Sequence, residues 1–202
     1  MSDYILPYHG QIKITSRFGD RTLYQQSEFH NGIDLLGLES KAIISPCDGV
    51  VKSSTIILDK TNKTWEWGNY VRIDDDKYSF FLCHLSERLV TKGQMVYKGQ
   101  PIGYEGETGL AYGNHLHLEV RIGDKIINPC SVFNIANEYG AIIKNKSENN
   151  EGHSWSYEAI AWAIKNGILR GYSENSADYR LNENITREEM IVLLHRLYEY
   201  LL

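Results

Sequence analysis

The sequence predicts a mainly β N-terminal domain, built on antiparallel sheet, followed by a small all-α helical module. Short apolar runs separated by glycine turns continue to about Val132, and helical spacing of apolar residues begins only near the end of the chain. A polar stretch without periodicity lies between the two patterns and predicts a linker. We therefore expect a β domain at 1–136, a linker at 137–153 and a helical module at 154–202.

Five runs in the first part of the chain have the β-branched and aromatic composition of strands. A cluster of glycines precedes the last of these runs. Because a strand rather than a helix follows it, the cluster is unlike a phosphate-binding loop, and we interpret it as loop backbone that passes close to a site. The predicted strands are Gln11–Thr15, Val50–Leu58, Asn69–Asp74, Tyr78–Leu85 and Leu116–Ile122, and the glycines are Gly103, Gly106, Gly109 and Gly113.

Two histidines, His115 and His117, lie one residue apart at the last predicted strand. Side chains two apart on a strand point to the same face, roughly 6.6 Å apart along the chain. Both imidazoles should therefore face one site, while Leu116 and Leu118 pack on the other side. The alternative is a pair of surface histidines on a half-buried strand.

The C-terminal part has the spacing of amphipathic helices. One helix is predicted to end at Asn166-Gly167, and a second begins near Thr186, which with Glu189 forms a capping box. Two helices of this size bury little by themselves, so they must pack on the β domain, on other copies of the chain or on a partner. Their apolar positions are Tyr157, Ile160, Ala161 and Ile164, then Met190, Leu193, Leu194 and Leu197.

Composition excludes several classes of function. A formal charge of −5 gives no reason to expect binding to nucleic acid or to an anionic membrane. No apolar stretch approaches the roughly 18 residues of a membrane span. Residues 1–10 lack the pattern of a signal peptide, so we expect synthesis in the cytoplasm. The three cysteines, Cys47, Cys83 and Cys130, form no CxxC spacing and are expected to be reduced.

Further histidines and an aspartate accompany the central pair. His30 and Asp34 are four residues apart, and in one extended segment this even spacing would put them on one face. His84 ends an apolar run, and His9 lies near the N-terminus. Two histidine nitrogens and one carboxylate suit zinc, and three protein ligands leave the fourth position open for water, as in a catalytic site. Spare histidines could serve as general base and stabilise developing negative charge.

Between Thr15 and Val120 the chain resembles the lysostaphin-type (LytM-like) zinc endopeptidases, which cut peptide bonds in bacterial peptidoglycan. The resemblance implies the lysostaphin-like peptidase fold with its duplicated hybrid motif. The motifs occur in the family's order: Thr15-Ser16-Arg17-Phe18-Gly19-Asp20-Arg21, His30-Asn31-Gly32-Ile33-Asp34, Pro46-Cys47-Asp48-Gly49-Val50-Val51, Gly68-Asn69-Tyr70-Val71, Cys83-His84-Leu85-Ser86, Gly93 to Gly103, and Thr108-Gly109 to Val120.

The resemblance implies a metal site with three protein ligands. His30 and Asp34 match the first two zinc ligands of the family, and His117 matches the third. One Zn²⁺ per chain is therefore expected. The family often has Tyr-Ala-His-Leu where this chain has Leu82-Cys83-His84-Leu85, and that change falls on packing positions rather than on a ligand.

The same resemblance implies functions for further side chains. His84 and His115 match the family's two catalytic histidines that are not ligands. Tyr24 lies where some members keep a tyrosine near the reacting carbonyl, with an ordinary loop aromatic as the alternative. His9 matches no motif and is expected at the surface. Trp67, like its neighbour at position 65, either stacks on substrate or packs within a hairpin.

The segment Trp155 to Leu197 resembles one S-layer homology module, a class that anchors proteins to cell-wall polysaccharide. Arg187 is expected to grip an acidic sugar, since a guanidinium binds a carboxylate through two hydrogen bonds. Trp162 is expected to bind the polysaccharide as well, and the alternative leaves Arg187 in solvent. Such modules usually occur in threes, so the single copy is either degenerate or completed by a homo-oligomer. The motifs are Ala159-Ile160-Ala161-Trp162-Ala163, Asn166-Gly167-Ile168-Leu169, Gly171-Tyr172 and Ile185-Thr186-Arg187-Glu188-Glu189-Met190.

Together these resemblances imply a zinc-dependent endopeptidase that hydrolyses peptide bonds in peptidoglycan. Its partners would be the peptidoglycan peptide and a secondary cell-wall polysaccharide. With no signal peptide evident, we expect a phage or prophage endolysin that reaches the wall through a holin-type lesion, or as a phage component. The alternative is a non-catalytic wall-binding or activator protein on the same fold. The intact ligand and histidine positions favour the enzyme.

Overall fold

The computed structural model describes residues 4–23, 25–145, 162–163, 166–169 and 187–201, without the side chains at 23, 63, 187 and 188. Within these residues it is mainly antiparallel β structure, as the sequence predicts. The strands are β1 (Gln11–Ser16), β2 (Gly19–Leu23), β3 (Gln26–His30), β4 (Ile33–Gly37), β5 (Ala42–Ile44), β6 (Gly49–Ile56), β7 (Asn69–Asp74), β8 (Ser79–Cys83), β9 (Glu87–Arg88), β10 (Met95–Val96), β11 (Pro101–Tyr104), β12 (Leu116–Ile122), β13 (Lys125–Ile127) and β14 (Ile142–Lys144).

Within the described residues, three helices have defined bounds. A 3₁₀ helix covers Lys63–Trp67, α1 covers Pro129–Phe133 and α2 covers Arg187–Leu201. Among the described residues, no helix combines the length and apolar character needed to cross a membrane.

The strands form one large sheet and two small ones. The large sheet runs β10-β6-β7-β8-β12-β4-β1-β14, and β13 pairs with β12 outside this path. The smaller units are β5-β11-β9 and the β2–β3 hairpin. All the strand pairs are antiparallel. Strand β12 lies between β8 and β4, so its side chains occupy the middle of the large sheet.

The two faces of β12 differ in chemistry, as its period-2 pattern predicts. Leu116, Leu118 and Val120 are fully buried and belong to the main hydrophobic core. His117 and Glu119 lie on the other face, beside a second cluster formed by Tyr70, Phe81 and Cys83 and packed against Ile57 and Trp67. Burial of the apolar face therefore holds β12 in the sheet, and the side chains of the polar face can form a binding site.

A buried polar network fastens the N-terminal segment to the sheet. Glu105 is 6% exposed, and its carboxylate accepts hydrogen bonds from Tyr8 Oη at 2.6 Å, Gly37 N at 2.9 Å and Lys41 Nζ at 2.8 Å. A buried charge is tolerated only when it is paired in this way. These contacts lie on the side of the sheet that carries the main core.

Each of the five predicted strand runs overlaps an observed strand. The three cysteines are free, as expected, and all three are buried. The prediction for His9 is wrong: the residue is 9% exposed, because the N-terminal segment packs into the fold. Residues 142–144, inside the stretch predicted as linker, pair with β1 as the edge strand β14. The boundaries at 137–153 stay a prediction.

Candidate metal centre

Strand β12 brings one histidine opposite an aspartate of the neighbouring strand. His117 pairs in register with Asp34 of β4, so both side chains lie on one face of the sheet. His115 lies just before β12, in an isolated bridge with Gly106. A Cβ on Gly106 would overlap backbone atoms of Ser86, which confirms that this glycine lets the loop pass close to the site.

His30 and Asp34 converge by a different route from the one their spacing predicts. They do not share one extended segment: His30 ends β3, and Asp34 lies in β4 after a bend at Asn31 and Gly32. A Cβ on Gly32 would clash with the carbonyl of Leu118 and lie 2.9 Å from His117 Cε1. The glycine therefore allows this bend to lie against β12.

Three ligand atoms meet at the resulting site. His30 Nε2 is 3.0 Å from His117 Nδ1, His117 Nδ1 is 2.9 Å from Asp34 Oδ1, and Asp34 Oδ1 is 3.3 Å from His30 Nε2. Ligands about 2.0–2.1 Å from a tetrahedral zinc ion lie about 3.3–3.4 Å from one another. The triangle is thus slightly tighter than a zinc site requires, and a single metal ion fits against it.

Hydrogen bonds on the far side of each ring determine which nitrogen faces the triangle. His30 Nδ1 donates to the carbonyl oxygen of Arg17 at 2.8 Å, which leaves a lone pair on Nε2. His117 Nε2 lies 3.2 Å from Glu119 Oε1 and donates to that carboxylate. When both rings are neutral, two imidazole lone pairs and one carboxylate oxygen point at one position, and this donor set suits a cation.

Charge in the site follows from the same contacts. Burial raises the pKa of Asp34, but hydrogen bonds from His117 and His30 outweigh it and hold that pKa well below its usual range. Burial lowers the pKa of His117, but hydrogen bonds to Asp34 and Glu119 raise it to about 9. In metal-free protein a proton therefore neutralises part of the carboxylate charge.

The second oxygen of Asp34 is held from outside the triangle. Arg21 Nη1 lies 3.4 Å from Asp34 Oδ2 and 2.6 Å from Ser16 Oγ, and Arg21 Nε donates to Glu28 Oε1 at 2.6 Å. These contacts orient the Asp34 carboxylate so that Oδ1 faces the histidines.

Two more histidines border the site. His84 Nδ1 donates to Thr108 O at 2.8 Å and His115 Nδ1 donates to Gly113 O at 2.7 Å, so Nε2 is the nitrogen of each ring that faces away from its anchoring carbonyl. Their ring centroids are 4.8 Å apart, and His115 Nε2 lies 3.7 Å from the nearer oxygen of Asp34. Burial, with the imidazoles of His117 and His115, lowers the pKa of His84 to about 4.

The backbone of His84 is unusual. Its φ of 65° lies in the left-handed region, which residues other than glycine adopt at a cost of order 1 kcal/mol or more. The strain persists because His84 N donates to Trp67 O at 2.8 Å and its ring is tied to Thr108. Surrounding structure thus holds this histidine beside the site.

Sequence reasoning missed Glu119. Its carboxylate accepts hydrogen bonds from Trp67 Nε1 at 3.2 Å and Arg121 Nε at 3.0 Å in addition to His117. Burial raises the pKa of Glu119, but hydrogen bonds from His117 and Arg121 lower it to about 2. The signal was present, since Glu119 has the same strand parity as His115 and His117.

Cys83 lies beside the triangle without joining it. It pairs in register with His117, is fully buried, and is not among the residues whose ligand atoms converge. Burial raises the pKa of its thiol well above the ordinary value, and the Glu119 charge adds to this. The group therefore stays protonated.

Other predicted site residues are only partly described. Tyr24 lies outside the described residues, and so does the side chain of Arg187, whose backbone begins α2. Trp162 is described: it is 42% exposed, and its ring lies 5.5 Å from that of Tyr200.

Comparisons with known proteins match two family models. Peptidase family M23 matches residues 28–129, half of the chain, and the S-layer homology domain matches residues 151–191. The peptidoglycan DD-endopeptidase ShyA of Vibrio cholerae is 34% identical over 126 residues, covering 60% of this chain and 28% of ShyA. An uncharacterized metalloprotease of Haemophilus influenzae is 34% identical over 130 residues, 62% of this chain and 26% of that protein. The match thus spans little more than a quarter of either relative.

Solved structures show the same fold. The catalytic domain of the prophage-encoded M23 protein EnpA from Enterococcus faecalis is 28% identical, with a TM-score of 0.51, covering 61% of this chain and 94% of that one. A zinc-containing peptidase from Vibrio cholerae is 29% identical, with a TM-score of 0.51, covering 66% and 40%. The lysostaphin catalytic domain from Staphylococcus simulans shares the fold at 20% identity, with a TM-score of 0.53, covering 60% and 92%. With its metal-ligand geometry and the match over half its length, the chain belongs to Peptidase family M23.

Proposed function

We propose that this protein is a zinc-dependent endopeptidase that hydrolyses peptide bonds in bacterial peptidoglycan. His30, Asp34 and His117 would hold one Zn²⁺ per chain. The observation that carries the proposal is the triangle of His30 Nε2, His117 Nδ1 and Asp34 Oδ1, whose edges measure 2.9–3.3 Å. Three ligand atoms this close to one another can share a single metal ion, and three protein ligands leave a coordination position open.

The surrounding histidines supply proton transfer. A zinc ion bound there would activate a water molecule and polarise the scissile carbonyl. His115 and His84 both direct an unprotonated Nε2 away from their anchoring carbonyls, so one can accept the proton of the attacking water. The other stabilises the developing oxyanion and helps to protonate the leaving amine. Tyr24 is proposed to lie near the reacting carbonyl.

The bond that is cut is proposed to be a D-amino-acid cross-link. ShyA and ShyC of Vibrio cholerae are named peptidoglycan DD-endopeptidases and are 34% and 35% identical to this chain. A DD-carboxypeptidase/endopeptidase, Mpg of Neisseria meningitidis, is 31% identical. The lysostaphin domain is more distant in sequence and supports the fold alone.

We propose that the chain consists of a peptidase domain at 1–136 with the duplicated hybrid motif, a linker at 137–153 and an all-α module at 154–202. The C-terminal module would target the enzyme to the cell wall. Arg187 and Trp162 would bind secondary cell-wall polysaccharide, and copies from a homo-oligomer would complete the module. The resemblance to a prophage-encoded M23 domain supports a phage or prophage endolysin acting on the wall.

The test is digestion of purified cell walls by the zinc-loaded full chain, with and without a chelator. We expect a fall in turbidity that the chelator abolishes, and defined muropeptides cut at a D-amino-acid cross-link as shown by product masses. His117→Ala should be inactive. His195→Ala, which changes an exposed histidine on α2, should match wild type. Zinc-loaded protein that cuts no wall type would instead favour the non-catalytic wall-binding or activator alternative.

A further inference from the structure

Glu119 is the most tightly held carboxylate on the polar face of β12. The residue is 2% exposed, and three side chains donate to it: His117 and Trp67 to Oε1, and Arg121 to Oε2. A buried carboxylate with this many donors cannot rotate without breaking charge-assisted hydrogen bonds. Its orientation is therefore set by its neighbours rather than by solvent.

This fixed carboxylate selects the nitrogen that His117 presents to the metal position. Because Glu119 can only accept, it favours Nε2 as the place for the single proton of a neutral His117 ring, and so leaves Nδ1 as the nitrogen that can bind a metal between Asp34 and His30. Without Glu119, the neutral ring could keep its single proton on Nδ1 instead, where Asp34 Oδ1 would accept it at 2.9 Å. That proton would occupy the position where the metal must bind.

Trp67 links this carboxylate to the second histidine of the site. Its indole Nε1 donates to Glu119 at 3.2 Å, and its backbone oxygen accepts from His84 N at 2.8 Å. The indole ring lies 5.2 Å from the ring of Tyr70 and 5.0 Å from that of Phe81. The ring thus packs against the sheet, in agreement with the packing alternative for this tryptophan.

We propose that Glu119 is a positioning residue that holds His117 in its metal-binding tautomer, and that Trp67 holds Glu119 in place. The inference rests on the proposed zinc site, and it adds two residues that do not touch the metal. Outer carboxylates that accept from a metal-bound histidine typically change metal affinity 10–100-fold when they are replaced.

The experiment measures zinc affinity of the full chain by competition with a chromophoric chelator. Glu119→Gln removes the charge and one of the two acceptor oxygens, and we expect zinc to bind about 10–100-fold more weakly. Trp67→Phe removes the indole N–H but keeps an aromatic ring, and we expect a smaller loss of about 3- to 10-fold, the value of one hydrogen bond.

Glu105→Gln is the matched control, because it replaces another buried carboxylate whose partners are Tyr8, Lys41 and Gly37. It should lower stability without changing zinc affinity. In zinc-loaded wild type, the His117 ring N–H should exchange slowly with solvent, and in Glu119→Gln it should exchange faster.

The possible results distinguish the positioning role of Glu119 from the proposed zinc site. Glu119→Gln and Trp67→Phe that both bind zinc within about twofold of wild type would overturn the inference and leave the metal site intact. If Glu119→Gln does not fold, Trp67→Phe decides alone by the same criterion. Wild-type protein that takes up no zinc would overturn the proposed function, and this inference with it.

Discussion

Replacing Asp34 by alanine should remove most of the stabilisation that zinc gives to the folded protein. The carboxylate provides one corner of the ligand triangle, 2.9 Å from His117 Nδ1 and 3.3 Å from His30 Nε2. Loss of a residue outside the ligand set already weakens metal binding by 10–100-fold. Loss of a ligand should therefore cost at least about 100-fold.

The loss of zinc affinity lowers the free energy of unfolding measured in the presence of zinc, because zinc stabilises the folded state by binding to it. At free zinc about 1,000 times the wild-type Kd, binding adds about 4 kcal/mol to the free energy of unfolding. With affinity about 100-fold weaker, the same zinc concentration is only about 10 times Kd and adds about 1.4 kcal/mol. The zinc-dependent increment should thus fall by about 2.7 kcal/mol in Asp34→Ala.

The assay is urea unfolding of each protein with buffered zinc and with chelator, so that effects on metal-free protein cancel. Asp20→Ala, which changes an exposed aspartate in β2, is the control and should keep the full increment. An equal zinc increment in Asp34→Ala and wild type would refute the assignment of Asp34 as a ligand.

Three further predictions concern the other histidines and the buried network. His84→Ala and His115→Ala should each lower kcat/KM on muropeptides about 10²–10⁴-fold with zinc affinity unchanged, and a large loss of affinity would contradict their role in proton transfer. Tyr8→Phe should lower the free energy of unfolding by about 1.5–3 kcal/mol, because its hydroxyl donates to the buried Glu105 carboxylate; an unchanged urea midpoint would contradict this. Burial lowers the pKa of His9 to about 4 from 6.5, so its contribution to stability is complete above pH 6.5 and is lost as pH falls toward 4. His9→Gln should therefore reduce the acid-side slope of stability by up to about 1.4 kcal/mol per pH unit, and an unchanged slope would show that His9 titrates normally.

The sequence predicts those strands in which apolar, β-branched and aromatic residues are concentrated. Asn69–Asp74 and Leu116–Ile122 are observed with the predicted bounds, because each alternates between the core and a polar face. The β2–β3 hairpin was not predicted, since its strands are mostly polar and show no alternation of apolar and polar residues. These strands pair locally, from Gly19 with His30 to Leu23 with Gln26, and hydrophobic periodicity does not reveal that pairing.

The candidate site shows the same division. The shared face of His115 and His117 follows from strand geometry, whereas the meeting of His30 with Asp34 depends on a bend that their spacing does not encode. Glu119 was missed because a glutamate on an alternating strand is usually solvated. Its role is apparent from its hydrogen bonds with His117 and with Trp67, which is 52 positions earlier in the chain.

The buried thiol of Cys83 has a consequence for the choice of metal. It lies in register with His117, yet it is protonated and excluded from the donor set, which leaves two imidazoles and a carboxylate. Soft ions such as Cu(I) prefer thiolates, whereas imidazole and carboxylate ligands suit borderline ions such as zinc. Because the Cys83 thiol stays protonated, the centre would offer Cu(I) no thiolate ligand, and the buried sulfur would serve only as packing beside His117.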